Sequence, residues 1–321
     1  MIKNNYTHLP VLLNEVINSM KIKMDGIYLD CTFGRGGHSK RILSKLGENG
    51  RLLAVDRDII AVEIAKKTII DSRFTIIHTS FSRISKYLFE HNLLGKINGI
   101  LLDLGVSSPQ LDDSQRGFSF MSNGPLDMRM DQSQGLSAAD WIRNASKEEM
   151  TKVLKNFGQE KYAKNIAKSL YYLQRNHNLV LSTTQDLVKV IKKLGKYDGR
   201  KHPATRCFQA IRIHINQELE EIKKILEDVF RILIPGGILS VISYNSLEDK
   251  LIKYFMYNNS NINQWIPSDL PLNEEQRRKK QRQSHKFMFK ISKKIRPSTQ
   301  EIINNPRARS AILRIAEKIS F

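Results

Sequence analysis

The sequence predicts an α/β protein: a doubly wound, largely parallel sheet interrupted by an all-helical insert. Three observations carry this expectation. The apolar run Ile27–Cys31 leads into a glycine turn and then a helical pattern at Ile42, Leu43 and Leu46. Short apolar strands then alternate with helical stretches as far as Leu104. The alternation stops near Asp112 and resumes near Gln217, with helical patterns between.

In chain order, Pro10–Met20 reads as an opening amphipathic helix with proline near its start. The first strand, Ile27–Cys31, precedes Gly34-Arg35-Gly36-Gly37-His38. Glycines here let backbone approach a ligand without Cβ interference and aim helix-start N–H groups at it. Leu52–Asp56, Phe74–His78 and Gly99–Leu104 are the next three strands, with helical patterns such as Ile59–Lys67 between them. A Gly/Ser/Met-rich stretch, Arg116–Pro125, opens the insert. Helical segments follow at Ala138–Arg143, Lys147–Phe157, Tyr162–Gln174 and Thr184–Leu194. Leu219, Ile222, Ile225, Leu226, Val229 and Leu233 recur at helical spacing, so Gln217–Leu233 is a helix. The turn Pro235-Gly236-Gly237 leads to a fifth strand, Ile238–Ser243, and two more are expected at Phe287–Ile291 and Ala311–Ile315. The expected division is residues 1–112, the insert 113–213, and 214–321.

The chain of 321 residues carries a net charge of +20, which favours a polyanionic partner, nucleic acid first. The same excess has a second source, since Lys, Asn and Ile crowd the chain as AT-rich coding DNA would dictate. Cys31 and Cys207 fit no metal spacing, so no metal is expected and a reducing compartment is. No apolar run reaches the roughly 18 residues of a membrane span, and Met1–Asn5 lacks a signal core. A soluble, cytoplasmic protein is expected.

Asp56 ends the second strand, 20 residues after Gly36. An acid at that place usually hydrogen-bonds a ribose. A nicotinamide fingerprint would continue to a third glycine or alanine, but Ser39 stands there. Asp30 also ends the first strand, and an acid ahead of the glycines suits a cationic ligand better than a pyrophosphate. S-adenosylmethionine has an amino group, a sulfonium and a ribose diol, and is preferred to NAD. Seven strands with glycines after the first match the methyltransferase version of the doubly wound, Rossmann-like fold.

Several longer blocks resemble one family. They are Gly34–His38, Asp103–Asp112, Gly117–Phe120, Gly124–Met130 and Lys201–Arg206. Together they are similar to the bacterial ribosomal small subunit methyltransferase H family, once called MraW. The likeness runs from His8 to the C-terminus. It implies a class I methyltransferase core with an inserted helical domain. It also implies an S-adenosylmethionine-dependent enzyme that methylates the exocyclic N4 of one cytidine of 16S rRNA, in the decoding centre of the small subunit. By the same resemblance Gly36, Gly37, His38, Asp56, Phe81, Asp103 and Gln110 contact the cofactor. Partners would be 16S rRNA within the small ribosomal subunit and no membrane, with a homodimer left open. One place departs from the pattern. The family usually carries Phe-His before Ser-Leu-Glu-Asp, and this chain has Tyr244-Asn245. Asparagine can hydrogen-bond there but cannot take up a proton at neutral pH.

Methyl transfer from a sulfonium is an in-line displacement that mainly needs positioning. Acceptors near the N4 hydrogens would localise the amine's delocalised lone pair. Asp103 stands at the right sheet edge for that, although the resemblance gives it to the cofactor. Asp127 is a catalytic candidate or, equally, a cap or ion-pair partner of Arg129. Asn245 is a catalytic candidate or a polar turn residue. His38 is a cofactor contact or a helix-start residue, Phe81 an adenine contact or a core aromatic, and His202 a turn residue before Pro203. Two basic surfaces suit RNA phosphates. One is Arg277–Arg296, with Phe287 and Phe289 interleaved at strand spacing and so open to a core role. The other is Lys192, Lys193, Lys196, Arg200, Lys201 and Arg206 on the insert. A target base must leave its stack, and the loop Gly117–Met121 is a candidate to hold it.

Overall fold

The computed structural model describes residues 10–175, 181–194, 202–260 and 289–319. Two compact units divide the chain: Met1–Gly105 with Glu221–Phe321, and Val106–Glu220. The boundaries expected from the sequence, 112/113 and 213/214, each lie seven residues inside the second unit.

The first unit is built on a seven-stranded sheet: β1 Ile27–Asp30, β2 Arg51–Asp56, β3 Phe74–His78, β4 Ile97–Asp103, β5 Leu233–Ser243, β6 Phe289–Ile291 and β7 Ile312–Lys318. Their order is β3-β2-β1-β4-β5-β7-β6. The first five are parallel, and β7 runs antiparallel to both β5 and β6. The central strands are apolar along their length because helices cover both faces. Helices α1 Leu13–Met20, α2 Gly37–Leu43, α3 Ile59–Thr68 and α4 Ile84–Glu90 alternate with the early strands.

Three local readings change. The opening helix starts at Leu13 rather than Pro10, because Leu12 takes a left-handed backbone (φ 54°). The Leu12 amide donates to Glu301 Oε1 at 2.7 Å, an acceptor 289 residues away that no local pattern reveals. The Pro235-Gly236-Gly237 turn lies inside β5. Pairing passes from Ile97↔Leu233 to Gly99↔Ile238, so the turn is a bulge in a strand five residues longer than expected. Gly236 supplies the positive φ, 76°, that this bulge needs. The described part of β6 begins at Phe289, which is buried against Phe230 and Phe255, and so takes the core role. Phe287 lies outside the described residues.

The second unit is helical, as its patterning predicts. Its helices are α5 Ser108–Asp112, α6 Ala138–Asn144, α7 Lys147–Gly158, α8 Ala163–Arg175, α9 Thr184–Leu194 and α10 Thr205–Ile215. Its one isolated β-bridge among the described residues joins Pro125 and Thr183. Trp141, Ile142, Met150, Leu154, Ile166, Leu170, Leu187, Ile191, Phe208 and Ile211 share one core. α10 is not evident in the sequence reading, where its start was read as a turn around His202-Pro203. It packs on α7 at Gly158, where a Cβ would come within 2.6 Å of the Arg206 carbonyl oxygen. α11 Glu218–Ile232 begins as the second unit ends, and α12 Ser246–Asn258 follows β5 in the first.

Candidate active site

Register places three acids at one edge of the sheet. Asp30 pairs with Ala54 on β2 and with Leu101 on β4. Asp56 and Asp103 each lie two residues beyond those partners, so the period of two brings all three to the same face at the carboxyl ends of adjacent strands. That edge is where open α/β sheets bind ligands.

Asp30 is buried. Its Oδ1 accepts the Thr32 N–H at 3.1 Å and its Oδ2 accepts the Ser39 hydroxyl at 2.7 Å. Burial pushes its pKa up against those hydrogen bonds. Asp56 accepts from the Gly34 N–H at 2.8 Å and from the Asp58 N–H at 2.9 Å. It thereby ties the glycine turn to the end of β2. Its carboxyl is pushed up to about 6, by burial first, with Asp58 and Asp30 adding to it.

Gly34 and Gly36 have φ of 55° and 74°. A Cβ on Gly36 would come within 2.5 Å of the Phe33 ring, and one on Gly37 would collide with Pro10. The turn therefore needs glycine for its own conformation and packing.

Asp103 has its backbone N–H on Thr32 Oγ1 at 2.7 Å. Its Oδ1 accepts the Tyr244 hydroxyl at 2.9 Å, and its Oδ2 lies 3.7 Å from His38 Nδ1. The side chain keeps 24% exposure, yet the protein around it lifts its pKa to about 7. Burial dominates that rise, Asp30 and Glu248 add to it, and the Tyr244 hydrogen bond opposes it. His38 is buried at the start of α2, with Nε2 3.2 Å from the Val11 carbonyl oxygen. A carbonyl only accepts, so Nε2 carries hydrogen and His38 is the donor.

Phe81 is half-buried at the head of a 3₁₀ turn, Phe81–Arg83, just past β3. The Thr79 N–H bonds the Asp56 carbonyl oxygen at 3.1 Å, which draws this loop to the end of β2. Asn245 is the N-cap of α12. Its Oδ1 accepts from Leu247 and Glu248 N–H, both at 3.0 Å, and Glu248 Oε2 accepts in return from Asn245 N–H at 3.4 Å and from Tyr244 N–H at 2.9 Å. This reciprocal capping box gives Asn245 a local structural duty.

The remaining predicted residues belong to the helical unit. Gln110 closes a second capping box, its Oε1 accepting the Ser107 N–H at 3.0 Å. Asp127 holds Arg129 bidentately, with Nε–Oδ1 and Nη2–Oδ2 both 2.8 Å, and the Arg129 backbone N–H adds 3.0 Å. That is the ion-pair reading of Asp127. Although burial raises its pKa, the combined hydrogen bonds and charge of Arg129 hold it below the usual carboxylate range. The loop around it is fixed from both ends. Buried Arg116 donates to the Arg129 and Met130 carbonyls, and Asn216 bridges Met128 O and Met130 N, each at 2.8 Å. Met128 pays for this with a left-handed φ of 62°.

Residues 5–319 match the MraW methylase family. The chain belongs to the MraW methylase family. Among solved structures it is similar to a Clostridium thermocellum protein described as a proposed rRNA methylase, at 13% identity over 97% of this chain and 100% of that one, with a TM-score of 0.45. It is also similar to an rRNA methylase from Streptococcus thermophilus (12% identity, 98% and 100% covered, TM-score 0.40). A third is a SAM-dependent O-methyltransferase from Thermotoga maritima (8% identity, 99% and 69% covered, TM-score 0.42). At such identities and scores these likenesses say nothing of the site or the substrate.

As an MraW family methylase the chain takes S-adenosylmethionine as methyl donor, and the acidic edge fits that ligand. Among the described residues, the hydrogen-bond partners of Asp30, Asp56 and Asp103 are backbone amides and hydroxyls, with His38 beside Asp103, and include no Lys or Arg. Three crowded carboxylates with raised pKa values favour a cationic guest, which a sulfonium and an ammonium supply. Past Asp103, Gly105 has φ 91°, and the nearest atom to a Cβ there would be Tyr244 Cδ2 at 3.7 Å. Among the described residues no cluster of His, Cys, Asp and Glu is arranged to hold a metal. No described helix is long and apolar enough to cross a membrane.

Sequence reasoning left two members of this edge out of its contact set. Asp30 reads there as an acid suited to a cationic ligand but is not among the named contacts, and Tyr244 appears only as a departure from a family pattern. Its acceptor is 141 residues away, so no local signal marks the pair. On the basic surfaces, Lys192, Lys193 and Arg206 are described, as are Phe289, Lys290, Lys293, Lys294 and Arg296. Residues 277–288 and Lys196, Arg200 and Lys201 lie outside the described residues.

Proposed function

We propose that this methylase transfers a methyl group to the exocyclic N4 of a cytidine in the decoding centre of 16S rRNA. The observation that supports the reading is the acidic sheet edge of Asp30, Asp56 and Asp103 in a chain of net charge +20. A cationic donor suits the edge, and a polyanionic acceptor suits the rest. When bound, S-adenosylmethionine supplies an electrophilic methyl group on a neutral leaving thioether. Asp56 would hold the ribose hydroxyls, each oxygen having a lone pair left after its backbone bond. Asp103 and His38 would face the amino-acid end, Gly36 and Gly37 would offer bare backbone, and Phe81 would lie against adenine. Gln110 follows as a cofactor contact from the family resemblance alone.

In-line attack by an amine asks chiefly for alignment and exclusion of water. Neither Asn245 nor Asp127 is offered as a base: one cannot take up a proton at neutral pH, and the other is a weakened base with both oxygens engaged by Arg129. Asn245 would keep the β5–α12 turn in shape, and Asp127–Arg129 would keep the Gly124–Met130 loop in shape. On the helical unit, Lys192, Lys193 and Arg206 are offered as phosphate contacts. The test uses purified protein, radiolabelled S-adenosylmethionine and small subunits from cells lacking the enzyme, with nucleoside analysis. Label in N4-methylcytidine is the expected result. Label in another nucleoside, or binding without transfer, would overturn the proposal, the latter in favour of a ribosome-binding role.

A further inference from the structure

We infer that Tyr244 is a positioning residue for the cofactor: its hydroxyl donates to one Asp103 oxygen, favouring the charged carboxylate and fixing it so that the other oxygen faces a cationic ligand. The inference rests on the reading that Asp103 meets S-adenosylmethionine.

The geometry is specific. Tyr244 follows the last residue of β5, a neighbour of β4, and its hydroxyl donates to Asp103 Oδ1 at 2.9 Å. Among the described residues it is the one side-chain donor within hydrogen-bond distance of that carboxylate. His38 Nδ1, at 3.7 Å from Oδ2, is too far. The phenol stays a donor throughout the neutral range, because burial and Asp103 push its own ionisation well above the usual value. The neighbours otherwise oppose a charge on Asp103. Asp30 and Glu248 face it, and Glu248 and Glu301 face Tyr244. That surrounding lifts the Asp103 pKa to about 7, and the tyrosine hydroxyl is the contact that opposes the rise. The backbone is held as well, by the Asp103 N–H on Thr32 Oγ1 and by the Tyr244 N–H on Glu248 Oε2. Removing one hydroxyl therefore changes the charge on Asp103 without freeing either strand end.

The experiment compares wild type, Tyr244→Phe, Asp103→Asn and the double variant. Cofactor affinity is measured by calorimetry across the neutral range, and melting temperature checks the fold. Ratios of Kd at each pH cancel the titration of the ligand itself. If loss of the hydroxyl raises the Asp103 pKa by about one, affinity falls about fivefold at about pH 7, about tenfold at about pH 6, and converges at about pH 9. A purely structural role would weaken binding by the same factor at every pH, and that result overturns the inference. So does a Tyr244→Phe effect that persists undiminished in the Asp103→Asn background. If Asp103→Asn alone leaves affinity unchanged, the cofactor reading of Asp103 fails instead. Carboxyl ¹³C titration of the wild type, assigned with Asp103→Asn, is independent of whether Tyr244→Phe folds. A midpoint in the ordinary carboxylate range would also overturn the inference.

Discussion

Asp103→Asn should stabilise the ligand-free protein while weakening cofactor binding. The carboxyl rises from an ordinary 3.8 to about 7 in the fold. A folded-state pKa above the unfolded one means that the native state binds more protons between those values, so stability falls as pH rises through that window. The gap of roughly three corresponds to a cost of at most about 4 kcal/mol once Asp103 is ionised. Partial exposure and solvent screening bring the expected figure down to about 1–3 kcal/mol. Asparagine suits the contacts that remain. Its Oδ1 can still accept from Tyr244, and its Nδ2 faces a His38 Nδ1 that is an acceptor whenever Nε2 alone carries hydrogen. Urea denaturation without cofactor should show the gain at about pH 8 and its disappearance at about pH 4, where wild-type Asp103 is already neutral. Cofactor affinity should drop about tenfold or more, the loss of one charge-assisted contact. A variant less stable than wild type at about pH 8, or a gain indifferent to pH, would refute the reasoning.

Three further outcomes are expected. Asp56→Ala removes the carboxylate oxygens that accept from the Gly34 and Asp58 N–H groups, so cofactor affinity should fall by about tenfold or more, and an unchanged Kd would remove Asp56 from the site. Asn245→Ala should cost about 1 kcal/mol through the lost cap, with Asn245→Ser restoring most of it, as thermal melts would show. Loss of methyl transfer beyond that stability effect would return Asn245 to the chemistry. Asp127→Ala leaves the partly buried Arg129 unpaired and should destabilise the helical unit by about 1–3 kcal/mol. Hydrogen exchange localised to Arg116–Met130 would report it, and unaltered protection would contradict the structural role.

What was readable in the sequence was whatever depends on near neighbours. The third strand and α9 fell where expected, because period and composition over about ten residues decide them. The glycine turn and its two flanking acids were likewise visible, since a strand end, a tight turn and a helix start each leave a residue signature. Pro235-Gly236-Gly237 shows the limit. The tripeptide marks irregular backbone, but only pairing with β4 decides that the irregularity is a bulge within a strand. Asn245 is similar: its residue type admits a cap or a catalytic amide, and the reciprocal bonds with Glu248 assign the cap.

By itself, then, the sequence determined the alternation of elements, the helical insert, the cofactor class and the family. The tertiary structure decided which acids share an edge and what each one touches. Asp30, Asp56 and Asp103 meet only because β1 lies between β2 and β4. Asp103 and Tyr244 meet only because β5 lies beside β4. Strand order is set by how helices and strands pack across the whole chain, and burial then sets each carboxyl's charge. Neither quantity is a property of any local stretch of residues.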